Sequence, residues 1–136
     1  MQAYVIIGRT YDLDGRPNEW CERVCWSEQA ADAAISDCRA RDARLIERHR
    51  AIERGLAAWE NDNPRPHIRN ASDKSQAMHR MRDWMERHGA ERQRLMDQLP
   101  SSESGDLRSR SHLEDCEYCW QAVPADTPPS TLLRQG

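Results

Sequence analysis

The chain has 136 residues, 38% hydrophobic and 32% charged, which suits one domain with a modest core under a highly charged surface. Its net charge of −3 argues against the bulk basicity of a dedicated nucleic-acid binder. No run approaches the roughly 18 apolar residues of a spanning helix, and the start MQAYVIIGRT lacks the basic-then-apolar pattern of a signal peptide.

Residues 2–10 predict a strand. Tyr4, Val5, Ile6 and Ile7 form an unbroken apolar run, which suits a central strand buried on both faces. Asp12-Leu13-Asp14-Gly15 followed by Arg16-Pro17-Asn18 predicts a polar turn. Residues 19–26 predict a second strand in an antiparallel hairpin with the first, with Trp20, Val24 and Trp26 on one face, interrupted by Glu22, and Cys21, Arg23 and Cys25 on the other.

Ser27 is the expected cap of a long helix over 27–61. Ala31, Cys38, Leu45, Ile52 and Trp59 recur every seven positions, and Ile35 and Leu56 complete the stripe. Asp37 and Arg41 are spaced for an i, i+4 ion pair. A continuous helix of this length would run roughly 50 Å, so it is expected to protrude, bend or break, with Gly55 or residues 39–42 as the weak places. The Asn61–Pro66 segment, with two prolines, stops it.

A second helix is expected from about Ser72, with Asp73 in its first turn, to Leu99 before Pro100. Met78, Met81, Trp84, Met85, Leu95, Met96 and Leu99 give it one apolar face, read as core, and Gly89 is a weak point. An antiparallel helix hairpin is the economical packing. His49 and His88 fall near the two apolar faces and are placed to meet across it. Residues 100–112 read as a polar loop. Residues 116–123 read as a third strand, with Tyr118 and Trp120 on one face.

The expected fold is α+β: a three-stranded antiparallel sheet, in the chain order β-β-α-α-β, covered on one face by a long helix hairpin. Residues 1–124 would form a single domain with the hairpin at about 27–99 protruding, and 125–136 a flexible tail.

Five Cys in this scattered arrangement suit reduced thiols in a cytosolic protein. Cys21, Cys25, Cys116 and Cys119 are the one zinc-like set, but residues four apart on a strand lie roughly 13 Å apart, and no knuckle turn separates Cys116 from Cys119. Asp12 and Asp14 do not open a calcium loop, because Pro17 and Arg23 stand where such a loop needs Gly and Glu. No nucleophile–base pair, phosphate-cradling glycine loop or paired-histidine motif occurs. The reading carries no catalytic residue, no metal ligand and no cofactor.

Charge is unevenly distributed. Residues 39–54 hold six Arg against Asp42, Glu47 and Glu53, and residues 65–82 hold Arg65, Arg69, Lys74, Arg80 and Arg82 against Asp73 alone. Both ends are acidic. Arg48, Arg50, Arg54, Arg65, Arg69, Lys74, Arg80 and Arg82 are therefore the expected partner-binding residues. Glu103, Asp106, Glu114, Asp115 and Glu117 are an alternative, phosphate-mimicking surface. The Met-rich helix also suits an adaptable interface, with a homodimer through the hairpin as one outcome.

The order YVIIGRTY, a second strand carrying Trp20, SEQAA opening a helix, and a last strand ending in Val123-Pro124 resembles small accessory proteins carried by phages and prophages. The likeness covers the first 40 residues and the last strand. That group includes anti-CRISPR proteins, so the resemblance implies a non-enzymatic, mobile-element-encoded inhibitor in the bacterial cytoplasm. Its partner would be a host protein complex, a nucleic-acid-binding effector among the choices. The alternatives are a small nucleic-acid-binding or regulatory protein using its Arg-rich helix face, and a zinc-stabilised interaction module.

Overall fold

The computed structural model describes residues 1–69, 72–99 and 108–126. The chain is α+β. Its elements are β1 (Gln2–Tyr11), β2 (Pro17–Cys25), α1 (Glu28–Asp62), α2 (Lys74–Gln98), a short α3 (Arg110–Glu114) and β3 (Glu117–Pro124). They divide between two compact units. One holds Met1–Ile46 and the described residues from Arg108 onward; the other lies within Glu47–Ser102. Helix α1 supplies residues to both.

In the first unit the strands pair antiparallel in the order β2-β1-β3. The most apolar strand is central, as its unbroken run requires. One face of β1 buries Ala3, Val5 and Ile7 with Val123 of β3 and Cys21 of β2. The other buries Ile6 with Cys25 and with Ala31 and Ala34 of α1, bordered by Tyr4, Ile35 and Trp120. The small residues of the helical stripe let the N-terminal half of α1 lie close on the sheet. In the β1–β2 turn, the Asp12 carboxylate accepts the N–H groups of Asp14 at 2.9 Å and Arg16 at 2.8 Å. An aspartate holding its own turn explains the Asp-x-Asp-Gly pattern without a metal.

The expected two-face alternation of β2 is corrected. Ile6 pairs with Arg23 and Ile7 with Cys21, so Glu22 is an extra residue in a bulge. The period therefore slips by one at Glu22. Trp20, paired with Gly8, and Val24, paired with Val5, lie on opposite faces, and Cys21 and Cys25 belong to different core clusters. Gly8 is required by this arrangement. A Cβ there would fall 2.5 Å from the Trp20 indole, which rests on the bare backbone.

Ser27 caps α1, its hydroxyl accepting the Ala30 N–H at 3.1 Å. The helix is unbroken to Asp62, including Gly55 and residues 39–42. The expected Asp37–Arg41 pair does not form. Asp37 instead faces Arg23 at 3.8 Å, and Arg41 turns to the sheet.

In the second unit the C-terminal half of α1 and α2 run antiparallel. The register is fixed by Arg48 against Leu99, Gly55 against Leu95, Glu60 against His88 and Asn63 against Trp84. Gly55 allows the close approach, since a Cβ there would come within 2.8 Å of the Leu95 side chain. This register places His88 beside Trp59 and Glu60 rather than opposite His49, which lies eleven residues earlier, about 16 Å along the helix. Asp73 sits one position before α2, where its carboxylate caps the Gln76 N–H at 3.0 Å. The helix then runs through Gly89 to Gln98.

The polar stretch read as a loop over 100–112 lies outside the described residues as far as 107. Its last part is instead the start of α3, capped by Ser109. Of the expected tail, only 125 and 126 are described. Among the described residues no helix is long and apolar enough to cross a membrane.

Candidate interaction surface

The inward stripe of α2 is Ala77, Trp84 and Leu95, with half-buried Met81 and His88 between them. Trp84 donates its indole N–H to the Asn63 carbonyl at 2.7 Å. Its ring stacks on His88 at 5.0 Å and meets Trp59 at 5.8 Å, and the His88 imidazole reaches Glu60 at 2.9 Å. This cluster fixes which face of α2 points outward.

The outward face carries the finding that the apolar pattern alone did not separate. Met78 and Met85, expected in the core, are each 58% exposed. They stand one position off the inward stripe, and their spacing of seven puts them on one line two turns apart. With Ile68 of the preceding loop and Met81 they line a groove of about 470 Å³, bordered by Arg82 and Glu86. A polar hollow of about 620 Å³ adjoins it and shares Met78 and Arg82. Lys74 is four residues before Met78 and so belongs to the same face.

The eight expected partner-binding residues all fall in this unit, but they do not form one patch. Arg48 is committed to α2, where its guanidinium donates to the carbonyls of Leu99 at 2.5 Å and Met96 at 3.5 Å and closes the helix end. Arg50 pairs with Glu47 at 2.9 Å, and Arg54 is exposed on α1. The Arg65 guanidinium lies over the Trp84 ring at 5.8 Å. Arg80 points roughly 200° around α2 from Met78 at about 100° per residue. Arg69, Lys74 and Arg82 remain, exposed, in the loop and on the face that hold the methionines. Among the described residues none of these three has a side-chain partner.

The first unit holds a second cluster, from residues that the sequence reading did not join. The buried Asp42 accepts from the Tyr118 hydroxyl at 2.5 Å, from Arg108 at 3.0 Å and from Arg41 at 3.1 Å. Arg41 also grips Glu22 of the bulge through both carboxylate oxygens, at 3.0 and 3.2 Å, and donates to Tyr118 at 2.8 Å. Trp20 donates its indole N–H to Glu22 at 2.9 Å, with the Arg108 guanidinium over its ring. Two cations meet two anions, so the cluster is balanced.

Burial works to raise the Glu22 carboxyl pKa, but the hydrogen bonds from Arg41 and Trp20 and the charges of Arg41 and Arg108 outweigh it and hold it below the usual range. Burial and the bond to Asp42 push the Tyr118 phenol well above its ordinary value. Burial likewise raises the Cys116 thiol pKa, which disfavours the thiolate form. A cleft of about 380 Å³ lies beside the cluster, lined by Thr10, Asn18, Trp20, Glu22, Arg41, Arg108 and His112. The signal that could have found this cluster was Glu22, the acid that interrupts the Trp20, Val24 and Trp26 alternation expected of β2.

The zinc-like cysteines do not converge. Cys25 is in the core with Ile6, Cys116 faces Tyr118 and Arg108, and Cys119 is exposed. Among the described residues no three His, Cys, Asp or Glu side chains are grouped to hold a metal. Of the alternative acidic surface, Glu114 pairs with Arg110 at 3.5 Å, Asp115 and Glu117 are exposed, and Glu103 and Asp106 lie outside the described residues. Comparison with protein-family models, with curated proteins and with solved structures finds no match.

Proposed function

We propose that this protein is a non-enzymatic interaction protein that inhibits a host defence complex by occupying one of its surfaces. The observation that carries the reading is the exposed methionine groove of α2 beside Arg69, Lys74 and Arg82. Large apolar side chains left in water next to cations that have no side-chain partner among the described residues are the features of a contact surface awaiting its complement. The likeness to phage-borne accessory proteins supplies the biological setting, and Met side chains suit a surface that must mould itself to another protein.

The test is expression in bacterial hosts whose RNA-guided defence clears a targeted phage. Restored plaquing, with stoichiometric co-purification of the defence complex, is the expected result. Plaquing that stays suppressed in every host tried overturns the defence reading. Binding to bare nucleic acid with a steep salt dependence would favour the Arg-rich nucleic-acid alternative instead.

A further inference from the structure

We infer that the groove of α2 receives an acidic amphipathic helix presented by another protein. The inference rests on the interaction reading above and names the chemistry of the partner.

The shape comes first. Met78, Met81 and Met85 lie at i, i+3 and i+7, and Ile68 closes the side, so the apolar floor is a strip about two helical turns, or roughly 10 Å, long. Along α2 the backbone groups are taken up by the helix itself, so an extended strand would gain no ladder of hydrogen bonds from it. An apolar helical ridge with anchors at i, i+3 or i+4, and i+7 matches it.

The charge comes second. Lys74 and Arg82 share the face of Met78, and Arg69 follows Ile68 directly in the chain. Against them stand Glu86, and Asp73, whose carboxylate already caps the helix. The rim is therefore net basic, and complementarity asks for carboxylates flanking the partner's apolar anchors. The same charges disfavour a second copy of this chain. A two-fold contact sets a patch against itself, and one centred on Met78 with the helices antiparallel would set Lys74 of each copy against Arg82 of the other. Single-stranded nucleic acid also fits poorly, because its bases need aromatic faces to stack on, and the groove is lined by thioethers and an isoleucine.

The test uses the full chain and two fluorescein-labelled synthetic peptides of about 14 residues, four helical turns. Both carry Leu at i, i+4 and i+7; one has Glu at the flanking positions and the other Lys. Fluorescence anisotropy is expected to show the Glu peptide binding at least about tenfold more tightly, with added salt narrowing the gap. Met78→Glu with Met85→Glu should abolish binding. Lys74→Glu with Arg82→Glu should invert the preference toward the Lys peptide. All four positions are exposed, and circular dichroism checks that each variant keeps its fold.

Equal affinity for both peptides overturns the inference. So does binding of neither, a dimer by light scattering that the Met78/Met85 variant dissolves, or tighter binding of a single-stranded oligonucleotide than of the Glu peptide. The phage assay separates the two readings. A Met78/Met85 variant that still restores plaquing overturns the groove and leaves the inhibitor reading standing. Peptide binding without any restored plaquing does the reverse.

Discussion

The Tyr118 hydroxyl donates to the Asp42 carboxylate at 2.5 Å, joining β3 to the middle of α1 across 76 positions of sequence. Asp42 is 4% exposed and also holds Arg108 and Arg41. A buried acid of this kind is tolerated because both of its oxygens accept hydrogen bonds and its charge is answered by cations. The members should therefore be strongly unequal when removed. Tyr118→Phe deletes the hydrogen bond to the charged acceptor Asp42 together with the bond that the hydroxyl accepts from Arg41, and should cost about 1.5–3 kcal/mol. Asp42→Ala removes the buried carboxylate that Arg108, Arg41 and Tyr118 share and leaves the charge of the cluster unbalanced, and should cost about 3–5 kcal/mol. Urea denaturation of both variants and the double variant checks this, with the double costing less than the sum.

The same cluster sets the pH dependence. The Glu22 carboxyl is held below its ordinary value of 4.5 in the folded chain. The unfolded chain therefore takes up that proton first as pH falls. The stabilisation is fully present above about 4.5 and is lost as pH drops through the folded value. Tyr118 works in the opposite sense. Its folded pKa is raised above 10.0, so the unfolded phenol ionises first and stability declines as pH rises past about 10. Glu22→Gln should be less stable than the parent at pH 7, with the difference vanishing in strong acid. Tyr118→Phe should flatten the alkaline limb. Chemical denaturation at a series of pH values measures both.

Two glycines should respond oppositely to alanine. At Gly8 the added Cβ would meet the Trp20 ring at 2.5 Å, and a rigid indole that also bonds Glu22 cannot step aside. Gly8→Ala should cost about 1–3 kcal/mol. Gly89 lies inside α2 with nothing within 4 Å of the added carbon. Gly89→Ala should stabilise by about 0.5–1 kcal/mol through helix propensity and a less free unfolded chain. Thermal denaturation decides, and equal shifts in one direction would refute the packing described at Gly8.

Trp84 should be the largest single contributor in the second unit. It is 8% exposed, stacks on His88, meets Trp59 and donates to the Asn63 carbonyl. Trp84→Ala should cost about 3–5 kcal/mol. Trp84→Phe keeps much of the area and loses the N–H bond, so it should cost about 1–2 kcal/mol. Because α2 presents its groove by anchoring this ring, Trp84→Ala should also weaken peptide binding, while Trp84→Phe should retain most of it.

Several features could be read from residue order alone, and each is local. The run Tyr4 to Ile7 determined a central strand, because four consecutive apolar residues need cover on both faces. Ser27 and the seven-residue recurrence after it determined a long capped helix. Asn61 to Pro66 determined its end, since proline removes a donor and Asn and Asp hold turns. The antiparallel sheet with β1 in the middle follows from these, and the structure has it.

What the tertiary structure decided is which side each polar or ambiguous residue faces. Glu22 marked an interruption in β2, but only pairing with β1 shows a bulge that turns it toward Arg41. The i, i+4 spacing of Asp37 and Arg41 suited a pair, yet the sheet offers Arg41 a drier site with three acceptors, and buried charge needs full partnering more than exposed charge does. Arg48 looked like a free contact and is spent on helix-end carbonyls. The methionines are the clearest case. Met78, Met81 and Met85 fit one apolar face by composition, but a helix turns about 100° per residue, and one position separates the stripe that Trp84 anchors from the line left in water.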